Sequence, residues 1–213
     1  MRLRLPAALA ATAVLALGAT ACGSDGESEN AATAPEPVAQ VDQLTGESTD
    51  VILDAGFVGA LEDLKLTPGP VGDATIEQGT ASFPITGGNV TYFEPGSVSP
   101  FVQGEIDHAG AGLSLEGGGK TVELTDFVVD PGASVLTGTV SVDGKVAAES
   151  APLFFLDGGT LEPLEVKDDG TAVLQGTTVE LKAEAAELLN DTFAVDALQE
   201  GLKIGTARIT VNT

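Results

Sequence analysis

The chain has 213 residues, enough for one substantial domain or two small ones, and 43% of them are hydrophobic, which is enough to fill a packed core. Thirty-two Asp and Glu against nine Lys and Arg give a formal charge of −23, and such a surface repels phosphate backbones and excludes nucleic acid as a partner. Twenty-seven Gly and eleven Pro argue against a helical bundle, while eight Phe, one Tyr and no Trp leave the core to Val, Leu, Ile and Ala.

Met1 to Cys22 reads as an export signal. Arg2 and Arg4 form a basic start, residues 5–17 are apolar but too short for a comfortable membrane span, and small residues lead into Cys22. The ending Ala19-Thr20-Ala21-Cys22 resembles a bacterial lipobox, with Ala19 where that signal prefers Leu. That resemblance implies cleavage after residue 21 and a lipid on Cys22, the sole cysteine of the chain, which would tether the protein to the extracytoplasmic face of the cell membrane. Residues 22–43 then form a tether, because the Ser-, Glu-, Ala- and Pro-rich run after Cys22 has too little apolar surface to fold. Residues 44–213 are left as a single β-rich domain.

From Leu44 onward the pattern is one of strands and turns, and it predicts an all-β, antiparallel sandwich or barrel-like domain with one short C-terminal helix. Residues 50–53 and 57–66 read as opening strands, and residues 80–85 as an edge strand, since Pro84 removes a ladder donor. Gly87-Gly88 reads as a hairpin turn into residues 89–93, and residues 101–108 and 111–116 as two further strands. The clearest stretch is residues 120–144, a hairpin about Asp130-Pro131-Gly132. In its first arm Val122, Leu124 and Asp126 share one face, and Glu123, Thr125 and Phe127 the other. Strands over 146–157, 161–166, 171–174 and 177–181 follow. Leu181, Ala185, Leu188 and Leu189 then mark one face of a helix over 183–190, with Asn190 positioned to end it in the left-handed conformation. Residues 203–211 form a final strand.

Signals for chemistry are sparse. Gly119-Lys120-Thr121 lacks the upstream Gly of a phosphate-binding loop and precedes a strand instead of a helix. A single histidine, His108, and the lack of any Gly-x-Ser-x-Gly elbow give no support for a hydrolase, so the chain reads as a non-enzyme that binds or adheres. Acidic turns at Asp143, Asp157 and Asp168-Asp169 lack the ligand spacing of a calcium loop, so no metal site is assigned. Tyr92 and His108 are each unique in the chain, and both sit in or beside strands. A phenolate can ligate haem iron while an imidazole tunes it, which makes these two residues the candidate haem-binding pair if the pattern places them on one side of a rim.

The order of features resembles the HtaA-type domain, a β-rich module of actinobacterial surface proteins associated with haem uptake. The likeness rests on Gly104-Glu105-Ile106-Asp107-His108-Ala109-Gly110, on the alternating strand over 120–129, on the helical run over 181–193, and on Gly201-Leu202-Lys203-Ile204-Gly205. It spans most of 44–213, without the family's tryptophan near the domain start. What it implies is a common scaffold, haem as the possible cofactor, and Tyr92 and His108 as the residues to examine.

Overall fold

The computed structural model describes residues 34–212, and the fold is that of the unit beginning at Pro35. The expected export signal, Cys22 and the expected tether up to residue 33 lie outside the described residues. Among the described residues thirteen strands form one sheet. They are β1 (Ala39–Val41), β2 (Ser48–Leu53), β3 (Thr67–Gly72), β4 (Thr75–Glu77), β5 (Thr80–Pro84), β6 (Gly87–Tyr92) and β7 (Val102–Gly117). β8 (Lys120–Asp130), β9 (Val135–Val142), β10 (Lys145–Asp157), β11 (Glu165–Val166), β12 (Thr171–Leu181) and β13 (Lys203–Asn212) complete it. The order across the sheet is β1-β6-β7-β8-β9-β10-β12-β13-β2-β5-β4, with β3 on β7 and β11 on β12. Every strand pair is antiparallel, and the sheet curls into a half-barrel, as the strand pattern predicts.

The central hairpin is β8 and β9, but the inward face of β8 changes phase partway. Val122 and Leu124 are buried, then Phe127 and Val129, so Asp126 and Phe127 do not keep the faces that simple alternation assigns them. The cause is a bulge: register slips between Thr125 and Val128, and Asp126 takes a left-handed φ of 53°. The Asp126 carboxylate accepts a 2.9 Å bond from the Gly110 amide of β7, where a matching slip lies between His108 and Gly112. The facing irregularities let residues 102–117 run as one strand instead of two, and they bring Phe127 into the interior beside His108.

Four further expectations are corrected. Residues 57–66 are not a strand: helix α1 (Ala55–Leu64) starts at Asp54, whose side chain accepts from Gly56 N at 2.8 Å, and ends at Lys65 with a left-handed φ of 56°. Phe57, Leu61 and Leu64 fall at i, i+4 and i+7 and pack against the core, which is helical spacing. Helix α2 (Ala183–Phe193) runs past Asn190 and is ended by left-handed Ala194. Asn190 instead bonds both main-chain groups of Leu198, at 2.7 and 3.2 Å, and so pins the segment after the helix. Gly87-Gly88 makes no hairpin between β5 and β6, which lie far apart in the sheet order, but opens β6 against β7. Finally, the sheet begins before Leu44, because Ala39–Val41, within the expected tether, pairs with residues 90–92 of β6. Residues 80–85 are an edge only in part: β5 lies between β2 and β4, but β4 covers only Thr80 to Ser82, so the outer side beside Pro84 needs no donor.

The helices pack at one end of the half-barrel, where Leu61 and Leu189 meet Leu53, Leu115, Leu124, Leu181 and Ile204 around a gap of about 40 Å³. That end is filled. The concave face of the sheet lines the principal cavity, whose wall includes Tyr92, Phe101, Val102 and Pro131.

Candidate ligand-binding cavity

Strand alternation builds the cavity wall. On β7 the inward residues are Val102, Ile106 and His108, on β2 they are Thr49, Val51 and Leu53, and the bulge in β8 adds Phe127 and Val129. The cavity measures about 360 Å³, and among the described residues no Asp, Glu, Lys or Arg lines it. This lies within the range of ordinary small-molecule sites. Phe83, Phe127 and Phe154 form a chain of edge-to-face contacts along it, with centroid separations of 5.3 and 6.5 Å, and Tyr92 meets Phe101 edge-on at 5.9 Å.

His108 is 1% exposed, so the structure does not place it as a solvent-facing residue at a strand end. It lies in mid-strand, facing the cavity. Its Nδ1 is 2.9 Å from the Pro84 carbonyl, which can only accept, so Nδ1 carries the proton and donates it. In the neutral ring Nε2 is then an acceptor, and its partner at 3.2 Å is the Thr49 hydroxyl. Burial pushes the His108 pKa below 6.5, against the opposing pull of the Pro84 bond and the Asp107 charge. These contacts also clasp the barrel, because β7 lies near one end of the sheet order while β2 and β5 lie near the other.

Tyr92 is 6% exposed and lines the same cavity. Its hydroxyl has no hydrogen-bond partner among the described residues, where no fully buried side-chain oxygen is left unpaired, so the phenol oxygen borders open space. Tyr92 pairs with Val102 and therefore shares the inward face of His108, but His108 lies six positions further along β7, about 20 Å at roughly 3.3 Å per residue. The two side chains thus share a cavity but are not within hydrogen-bond reach of each other: the partners of His108 are Thr49 and Pro84.

Each acidic turn is occupied locally. Asp143 pairs with Lys120 at 2.8 Å, Asp157 accepts from Gly159 N, and Asp169 accepts from both Thr171 N and Thr171 Oγ1. Among the described residues no three His, Cys, Asp or Glu side chains gather as a metal site. Among the described residues no Ser or carboxylate reaches His108, and its hydroxyl partner is Thr49 in mid-strand. Sequence reading missed Thr49 and the Phe83-Phe127-Phe154 chain. A polar residue at the inward parity of Thr49-Asp50-Val51-Ile52-Leu53 was the available signal for Thr49, whereas Phe127 was hidden by the bulge.

No family model and no curated protein matches the chain. Among solved structures the chain is similar to the C-terminal domain of HtaA from Corynebacterium glutamicum, with TM-score 0.56 and 14% identity over 80% of this chain and 98% of that one. The heme binding protein HtaB from the same organism gives TM-score 0.48 and 12% identity over 82% and 96% of the two chains. The first likeness establishes the HtaA-type fold anticipated from the sequence.

Proposed function

We propose that this protein is a non-catalytic binding domain that takes a small apolar ligand into the interior of its half-barrel, held at the extracytoplasmic face of the membrane by a lipid on Cys22. The carrying observation is the 360 Å³ cavity with its uncharged, largely aromatic and aliphatic wall. Displacement of a neutral fluorescent probe such as Nile red from residues 35–213 tests it, and a protein that neither brightens nor shifts the probe refutes it. Mass spectrometry of membrane-extracted protein tests the tether, and an unmodified Cys22 removes it.

Haem is a second reading. One observation favours it: the unpaired Tyr92 phenol borders the cavity and would supply an oxygen ligand for iron. Two features do not fit. Both ring nitrogens of His108 are committed to Thr49 and Pro84 and not to Tyr92, and among the described residues no Lys or Arg lines the cavity to meet the two propionates. A Soret band that appears on haem addition and is lost in Tyr92→Phe supports haem. A spectrum identical to free haem dismisses it.

A further inference from the structure

Among the described residues no Asp, Glu, Lys or Arg lines the cavity, and its polar side chains are Thr49, Tyr92, Ser99, His108, Ser134 and Thr177. Tyr92 lines the cavity, and its hydroxyl has no hydrogen-bond partner among the described residues. The Thr49 hydroxyl donates to His108 Nε2, which leaves the lone pairs of the Thr49 oxygen free to accept. Both Thr49 and His108 border the cavity, and both are buried. Along β7, Val102 (the partner of Tyr92) and His108 are six residues apart, about 20 Å of extended backbone, against about 15 Å for one acyl layer, half of a hydrocarbon core roughly 30 Å thick. An anionic headgroup brought inside would lose its hydration without meeting a cation, and it would approach through the field of a chain whose net charge is −23. A cationic one would be attracted from solution but then buried without a carboxylate partner.

We infer that the cavity is a site for an uncharged single-chain lipid whose hydroxyl donates to Thr49 while its hydrocarbon chain lies along the aromatic wall. The chemistry that recognises it is a hydrogen-bond donor on a long alkyl chain, as in a fatty alcohol. This inference rests on the half-barrel interior being the ligand site.

Tetradecanol, tetradecanoate, tetradecane and haem compete against Nile red on residues 35–213 at pH 7.5, above the titration range of His108. Tetradecanol is expected to displace the probe at least tenfold more tightly than tetradecanoate and more tightly than tetradecane. Thr49→Val is expected to bring the alcohol down to the level of the alkane, while Thr49→Ser, which keeps the hydroxyl, retains the preference. Should Thr49→Val fail to fold, the Thr49→Ser protein and the ligand series still decide the matter. Tetradecanoate or haem binding as tightly as the alcohol, or an alcohol preference that survives in Thr49→Val, overturns the inference while leaving an interior binding site in place. Failure of every compound, with no Nile red binding at all, overturns the interior site itself.

Discussion

Replacing His108 with Ala tests the clasp between the two ends of the sheet. The change removes a buried imidazole, its 2.9 Å bond to the Pro84 carbonyl and its 3.2 Å contact with the Thr49 hydroxyl. Two neutral hydrogen bonds are each worth about 0.5–1.5 kcal/mol net. The ring also packs edge-on against Phe83 at 6.2 Å, and truncation of a buried aromatic costs about 3–5 kcal/mol where the void stays dry. Here the new space opens into the 360 Å³ cavity, so water can enter and satisfy Pro84 and Thr49. That relief places the expected loss at about 2–3 kcal/mol, or a fall in Tm of roughly 5–10 °C for a domain of this size. The acid side gives an independent check. Because burial lowers the folded-state pKa below 6.5, the unfolded chain binds the extra proton first, and stability is lost as pH falls from 6.5 toward the lowered value. The slope is at most about 1.4 kcal/mol per pH unit. Urea melts of wild type and His108→Gln at matched pH should therefore converge below pH 6.5. A Tm within 2 °C of wild type for His108→Ala, or a stability difference independent of pH, refutes the clasp.

Substitutions at three further positions probe the backbone and the surface. Gly88→Ala puts a Cβ 2.0 Å from the Glu105 carbonyl oxygen at a φ of 106°, and urea melts should show a loss of more than about 2 kcal/mol or no folded protein. Asp126→Ala removes the acceptor for Gly110 N and leaves Ala at a φ of 53°, so it should destabilise by about 1–3 kcal/mol, with Asp126→Gly milder because the strain is relieved. Lys120→Ala breaks an exposed pair with Asp143 and should leave the thermal melt unmoved within error, at low and at high salt alike.

The sequence patterns that carried through were those with local causes. Alternation in residues 120–125 and 135–142, the turn at Asp130-Pro131-Gly132 and the helical spacing of Ala185, Leu188 and Leu189 each act within a dozen residues, and the structure follows them. The failures share a different cause. Asp126 breaks the phase of β8 because a partner strand supplies Gly110 N, and a single-strand pattern cannot contain that fact. Gly88 has the composition of a turn, but it is needed because Glu105 of β7 approaches too closely for any Cβ. Tyr92 and His108 could be recognised as singular and as strand residues, but their separation along β7 and the clasp to Thr49 depend on how far the sheet curls. The fold was therefore legible from short-range pattern, whereas the site was legible only as two names without a geometry.

The same curl explains why a cavity exists. A sheet of this many strands encloses more volume than side chains of Val, Leu and Ala can fill, and with no Trp and only eight Phe the chain has few residues large enough to close the gap. At about 24 cal/mol per Å³ a dry void of 360 Å³ would cost several kcal/mol, a large fraction of the stability of a typical domain. If the space serves a ligand, filling it should exchange binding for stability. Ala207 lies in mid-β13, is buried and lines the cavity. Ala207→Leu adds three carbons, worth up to about 2 kcal/mol at roughly 0.8 kcal/mol per buried methylene. The expected result is a Tm raised by about 4–8 °C together with weaker Nile red binding. Overpacking of an already filled core would instead lower stability by about 1–3 kcal/mol. A fall in Tm with unchanged probe binding would mean that the wall at Ala207 is packed and that the ligand-sized space does not exist in solution.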